Sequence, residues 1–305
     1  MTSPNTIHLV ANSGSGQGRA REVVALVRQR CREQGIELCE YIAQRPRGLP
    51  RQIARAHRQA LLDGGRVLAV GGDGTLRSVA QKLAGTQIPM AVVPTGTFNF
   101  FARNLNIPEP LEPAIELAIS GQASPVDLGC VNQRVFLINA SFGLYARLIR
   151  AREQHTRLFG RHRLVAIAST LLTLLRGYRA MALTLNDHRQ QREIKSPMVF
   201  VGINSLQLRG IDLDVADCIH ERKLAVVVMK PVTQWALFRL SLRGLLRRLR
   251  DEESLERFCA EDLRIRLDRR STSVVLDGER MRLRGPLKFS ILPNALQVIQ
   301  PDEVA

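Results

Sequence analysis

The sequence is poor in aromatic and acidic residues. It holds one tryptophan and three tyrosines, and aromatics make up only 5% of its 305 residues. With so few rings and no recognition motif, a nucleic-acid-binding role would rest on charge alone, and no nucleic-acid partner is expected. Its 28 acidic residues face 44 lysines and arginines, a net charge of +16. That deficit of negative charge predicts a surface that attracts phosphate groups or an anionic membrane. Cys31, Cys39, Cys130, Cys218 and Cys259 form no C-x-x-C pair. An odd, unpatterned count predicts reduced thiols in a cytoplasm. The opening "MTSPNTIHLV" lacks a charged stretch followed by a long apolar one, so no signal peptide is expected. The longest apolar run, Leu164 to Leu175, is shorter than the ~20 residues of a membrane span. No transmembrane segment is expected, and a peripheral membrane role stays open. Repeats and low-complexity tracts are also missing.

What is present is a chain that is 45% hydrophobic, enough for a sizeable core and two domains. The first third alternates strand and helix signals. "TIHLVA", "IELCEYIA", "RVLAV" and "PMAVVP" read as strands, with helical patterns after each. This predicts a parallel sheet flanked by helices. Past a boundary near Ser124, short strand-like segments dominate and predict a β-rich second domain over 125–289. Two helical stretches interrupt it, Tyr145 to Arg176 and Trp235 to Arg250. The segment "NDHRQQREIKSP" reads as a solvated hairpin loop. A final strand, within 290–301, is expected to return to the first domain.

The stretch "VLAVGGDGTLRSVA" reads as strand, glycine turn and helix, with the helix from about Thr75. Gly71, Gly72 and Gly74 let a backbone approach a ligand closely. A helix N-terminus behind such a turn attracts anions. The turn is neither a Walker A loop nor a GxGxxG fingerprint. Asp73 in its middle has three readings: an N-cap, a ligand of a divalent cation set against phosphates, or a group that orients an acceptor hydroxyl. A second turn, "PTGTFNFFARNLNIP", offers Gly96, Thr97 and Asn99 as donors at the next strand end. Ligands of open α/β sheets bind at that end of the strands. A third turn, Asn12 to Gly18, could join them. Farther on, "SVVLDGERMRL" carries the hairpin signal Asp277-Gly278 with Glu279 just after it.

These motifs resemble a known family. "GGDGT" at 71–75, "PTGTFNFFARNLNIP" at 94–108 and "LDGE" at 276–279 are similar, in order and spacing, to the diacylglycerol-kinase-type catalytic domain family. The resemblance is to its bacterial lipid kinase branch, related to sphingosine kinases and NAD kinases. It implies an N-terminal nucleotide-binding α/β domain, a C-terminal β-sandwich domain and an active site in the cleft between them. It further implies ATP, Mg²⁺ and a lipid hydroxyl as acceptor. Gly72 to Thr75 and Thr97 would line the phosphates, Asp73 would lie nearest the metal, and Glu279 would be the general base with Asp277 beside it. A family metal site in the second domain would fall on Glu221. The chain departs from the pattern at Ser13, Arg77, Ser78 and Phe100. Arg77 reads as an added phosphate contact or a surface arginine.

The stretch "WALFRLSLRGLLRRLR" sets Trp235, Phe238, Leu242, Leu245, Leu246 and Leu249 on one helical face. Arg239, Arg243, Arg247 and Arg250 lie largely opposite. This reads as a basic helix on an anionic membrane, or as a helix packed on its own domain with solvated arginines. Arg147 to Arg163 forms a second basic segment. The expectation is a cytoplasmic, peripheral, ATP- and Mg²⁺-dependent lipid kinase acting on diacylglycerol or a related lipid. A homodimer is compatible with the sequence. The alternatives are an NAD kinase and a catalytically silent lipid- or nucleotide-binding protein.

Overall fold

The computed structural model describes residues 6–12, 19–144, 146, 178, 180–187, 190–209, 214–245 and 252–302. Residues 13–18 of the first turn, the helical stretch 145–176 apart from Ala146, with its apolar run and basic segment, and Leu246, Arg247, Leu249 and Arg250 lie outside the described residues. The chain divides into two compact units, Met1–Leu128 with Leu292–Ala305, and Gly129–Ile291. Two strands, β5 (Gln122–Val131) and β16 (Leu287–Gln300), run from one unit into the other.

The first unit alternates as its sequence predicts. Its strands are β1 (Thr6–Asn12), β2 (Glu37–Ala43), β3 (Arg66–Gly71) and β4 (Met90–Pro94). Its helices are α1 (Arg19–Glu33), α2 (Leu49–Asp63), α3 (Asp73–Leu83), α4 (Phe100–Asn104) and α5 (Leu111–Ser120). The strands run parallel in the order β2-β1-β3-β4, and the C-terminal part of β16 pairs parallel with β4. Every residue of β3 and β4 is buried, which is why these strands read as unbroken apolar runs. Helix α1 buries Val23, Val24, Val27 and Cys31, the stripe of an amphipathic helix. Helix α2 stops at Gly64, whose φ of 71° is the left-handed turn that glycine adopts without strain. Arg66 is 4% exposed, and its guanidinium donates to the carbonyls of Ala118, Ile119 and Gly121 at the end of α5. A cation there meets the negative end of the helix dipole.

The second unit is antiparallel. One sheet has the order β12-β11-β10-β7-β14-β15. Its strands are β7 (Asn139–Gly143), β10 (Met198–Gly202), β11 (Leu224–Met229), β12 (Leu255–Ala260), β14 (Ser271–Leu276) and β15 (Glu279–Arg284). The others are β6 (Arg134–Phe136), β8 (Met181–Asp187), β9 (Gln190–Ser196) and β13 (Asp262–Leu267), with β9-β8-β13 leading to the start of β16. Phe142, Val199 and Val274 of the first group share one buried cluster with Leu185, Ile265 and Phe289 of the second. Helices α6 (Ser205–Arg209) and α7 (Gln234–Leu245) complete the described elements.

Three local expectations are corrected. Residues 190–196 are not loop but strand β9, paired with β8 from Met181↔Ser196 to Asp187↔Gln190. The polar residues that suggested a loop suit a strand at the end of its sheet, where one edge has no neighbour among the described strands. The segments "LKFSILP" and "ALQVIQP" form one 14-residue strand, β16. The reading of five reduced thiols fails at Cys218 and Cys259, which form a disulfide. Their 41-residue separation left no local signal. Cys31, Cys39 and Cys130 are free thiols.

Candidate functional site

The two glycine turns of the first unit abut at the backbone. A Cβ on Gly72 would stand 3.2 Å from the Cα of Gly96, and a Cβ on Gly96 would stand 2.8 Å from the Cα of Gly72. The Thr95 N–H donates to the Gly71 carbonyl at 3.0 Å, which extends the β3–β4 pairing into the turns. Gly71 is required for another reason. A Cβ there would lie 2.5 Å from the Cβ of Thr75, whose buried side chain fills that space. Helix α3 therefore begins directly at the turn, and its first-turn N–H groups before Thr75 have no intrahelical acceptor.

Asp73 is not the N-cap of α3. The helix starts at Asp73 itself, two residues before the expected start, and Gly72 occupies the cap position in extended conformation. The Asp73 carboxylate is turned toward the second glycine turn, where Oδ1 accepts the Phe101 N–H at 3.3 Å. Burial pushes this carboxyl above the usual carboxylate range, against the backbone N–H groups of Phe101, Phe100 and Asn99, which pull it down. Asp73 thus faces the opening of α4, with the backbone N–H groups of Phe101, Phe100 and Asn99 around its carboxylate. Among the described residues no cluster of three or more His, Cys, Asp or Glu forms a metal site. A single carboxylate still suits Mg²⁺, which commonly takes one or two carboxylates and completes its shell with phosphate oxygens and water.

The other residues of the first unit divide in role. Asn99 sits in the left-handed region with φ 50°, and its Oδ1 accepts the Gly96 N–H at 2.9 Å. That N–H, expected to face a ligand, is taken, and Asn99 instead fixes the shape of the turn. Thr97 is exposed beside it, and Asn12 is buried at the end of β1. Ser78 Oγ donates back to the Gly74 carbonyl at 2.9 Å. Arg77 is only 7% exposed, so the surface reading of this arginine is corrected. Phe100 stacks on Phe98 at 5.6 Å between ring centroids, and Phe98 is 56% exposed.

In the second unit, Asp277 and Gly278 form the turn between β14 and β15, with φ of 48° and 82° and the pair Leu276↔Glu279 closing it. Positive φ at both positions is the twist that a two-residue hairpin needs. The Asp277 carboxylate is buried and accepts three backbone N–H groups, from Leu137 at 2.7 Å, Ile138 at 2.9 Å and Asn139 at 3.0 Å. Those bonds pin the hairpin to the segment entering β7. Glu279 follows as an exposed residue. A cavity of about 1040 Å³ in this unit is lined by Leu144, Met181, Leu267 and Met281, with Arg269 and Arg280 among its polar residues. Glu221 is exposed, and the Lys223 ammonium donates to it at 2.7 Å, holding its carboxyl below the usual range. Among the described residues no group of three or more His, Cys, Asp or Glu gathers around it.

Helix α7 departs from the expected face. Leu237 and Leu240, which the expected face left out, are buried, whereas Trp235 and Phe238, which it included, are exposed. Arg243, expected among solvated arginines, donates to Glu252 Oε2 at 2.8 Å. Among the described residues no helix is long and apolar enough to cross a membrane.

Residues 6–131 match the family model described as the diacylglycerol kinase catalytic domain. The chain is 32% identical over 144 residues to a "Probable lipid kinase YegS-like" protein of Klebsiella pneumoniae (strain 342), covering 47% of this chain and 46% of that one. A protein of the same name from Cronobacter sakazakii (strain ATCC BAA-894) is 41% identical over 81 residues, 25% of this chain and 27% of that one. The match thus spans about half the length of the first of these relatives and less of the second. In fold the chain is similar to a crystal structure of a diacylglycerol kinase from Bacillus anthracis str. Sterne, with a TM-score of 0.68, 18% identity and full coverage of both chains. Another structure from that organism gives a TM-score of 0.75 at 19% identity, again over the whole of both chains. The family resemblance is borne out over residues 6–131, which hold the first two of the three motifs, as is the fold class of an α/β unit joined to a β-rich one.

Proposed function

We propose that this chain is an ATP- and Mg²⁺-dependent lipid kinase that phosphorylates the free hydroxyl of diacylglycerol or a related lipid at an anionic membrane surface. The observation that carries the reading is the backbone contact of Gly72 with Gly96, with the Asp73 carboxylate spanning the same two turns. The phosphates of ATP lie against the open end of α3, where first-turn N–H groups and the helix dipole favour anions. Asp73 would hold Mg²⁺ through its carboxylate, as a ligand direct or through water. The metal supplies charge neutralisation at the phosphates.

Glu279 takes the proton of the acceptor hydroxyl. The acceptor oxygen then bonds to the γ-phosphorus, the bond to the bridging oxygen breaks, and ADP leaves. Arg280 and Met281 follow Glu279 on β15 and line the mixed apolar and basic cavity of the second unit, whose size suits the body of a lipid. Asp277 holds the hairpin that carries Glu279.

Labelled ATP with Mg²⁺, a panel of lipids, NAD and a control without acceptor tests the reading. Label in the lipid fraction is expected. Label in NADP would make it an NAD kinase. Label in neither, with nucleotide still bound, would make it a silent binding protein.

A further inference from the structure

Helix α7 is anchored by Leu237 and Leu240, 3% and 9% exposed, and turns two large rings outward. Trp235 is 81% exposed and Phe238 is 38% exposed, and the rings meet edge to face with centroids 6.3 Å apart. Arg239 is exposed next to Phe238. From Lys230 to Arg250 the chain has six basic residues and no acidic one. We infer that the Trp235–Phe238 pair docks this protein on an anionic lipid bilayer, with the rings entering the headgroup boundary and Arg239 meeting lipid phosphates. This deepens the membrane part of the proposed function, and the phosphoryl-transfer part stands without it.

The charge pattern selects the occupant. Contact between two copies through this face would set cation against cation, because the helix has no acid of its own to offer. An anionic bilayer supplies the missing sign across a whole surface. The ring chemistry agrees. Tryptophan carries an apolar body and a polar N–H, and it favours the water–lipid boundary. Arg243 is already paired with Glu252, so among the described residues Arg239 is the helix's arginine left for this face.

Trp235 is the chain's single tryptophan, so its emission reports on this residue alone. The test mixes the protein, without ATP, with vesicles of phosphatidylglycerol and phosphatidylcholine, and with phosphatidylcholine alone. The expected result is a blue shift with the anionic vesicles and quenching by brominated acyl chains. Arg239→Gln should weaken binding about fivefold at low salt. Phe238→Ser should weaken it about tenfold or more, with an unchanged circular dichroism spectrum. Three results would overturn the proposal: vesicles that bind protein without a shift in emission, a blue shift that grows with protein concentration in the absence of lipid, or parental binding by Phe238→Ser. The readout needs no turnover, so a failure here leaves the kinase reading untouched.

Discussion

A Cβ on Gly96 would stand 2.8 Å from the Cα of Gly72 and 2.7 Å from Asn99 Oδ1. Neither neighbour is the loose end of a flexible chain. One is backbone, and the other is the atom that caps the turn. Gly96→Ala should therefore push the two turns apart, at a cost of about 1–3 kcal/mol. Thermal melting should fall by several degrees, and calorimetry should show weakened ATP binding. Parental values for both would mean that the turns can part freely.

Asp73→Asn separates charge from architecture. The amide oxygen can still accept the Phe101 N–H, so the loop contact survives. Burial raises the Asp73 pKa in the folded protein, so its charged form is a net cost to stability above the unfolded-state pKa. The variant should melt at or slightly above the parent at neutral pH. Its phosphoryl transfer should fall by roughly 10²-fold or more through loss of the metal-linked charge. In the parent, activity needs the carboxylate. It should fall at acid pH as the carboxylate protonates; in the metal-free protein the carboxyl should titrate above the usual carboxylate range, and Mg²⁺ binding measured against pH checks this.

Asp277 and Glu279 should respond in opposite ways. Asp277→Asn offers one acceptor oxygen where three N–H groups converge on two. It should cost about 1–3 kcal/mol of stability. Glu279→Gln, at an exposed position, should stay within about 0.5 kcal/mol of the parent. Its turnover should fall by about 10²–10⁴ with ATP affinity unchanged. Melting, calorimetry and a lipid assay on both variants check the contrast.

The disulfide gives a prediction independent of any activity. Cys218 and Cys259 close a loop across 41 positions, which stabilises by about 4 kcal/mol in the chain-entropy view. Reductant or Cys218→Ser should lower the melting temperature accordingly. Thiol titration in denaturant should find Cys31, Cys39 and Cys130 before reduction and all five cysteines after it.

Much of the fold could be read because its signals were local. The unbroken apolar runs of β3 and β4, the stripe on α1, the Gly64 stop and the Asp277-Gly278 turn each depend on neighbours in sequence. The site was legible as two glycine turns but not as a contact between them. Nothing near Gly72 announces Gly96, and the cap stayed among the three readings of Asp73 because its partner, the Phe101 N–H, lies 28 residues on. Asp277 read as a turn residue because its three donors come from residues 137–139. On α7, periodicity found an apolar stripe but could not tell which apolar residues face the protein. The helix carries apolar residues on more than one face, and the stripe read from the sequence took in Trp235 and Phe238 but passed over Leu237 and Leu240, the pair that packing buries.

Strand β16 enters the parallel sheet beside β4, yet it is translated last among the described strands. While the ribosome makes the intervening residues, the edge of β4 has no β16 to pair with. At ordinary synthesis rates that interval is on the order of 10–40 s. The nascent chain therefore carries an open, wholly apolar strand edge through the making of an entire second unit. Its yield in a cell should depend on chaperone supply and slow growth temperature more than the finished protein's stability would suggest.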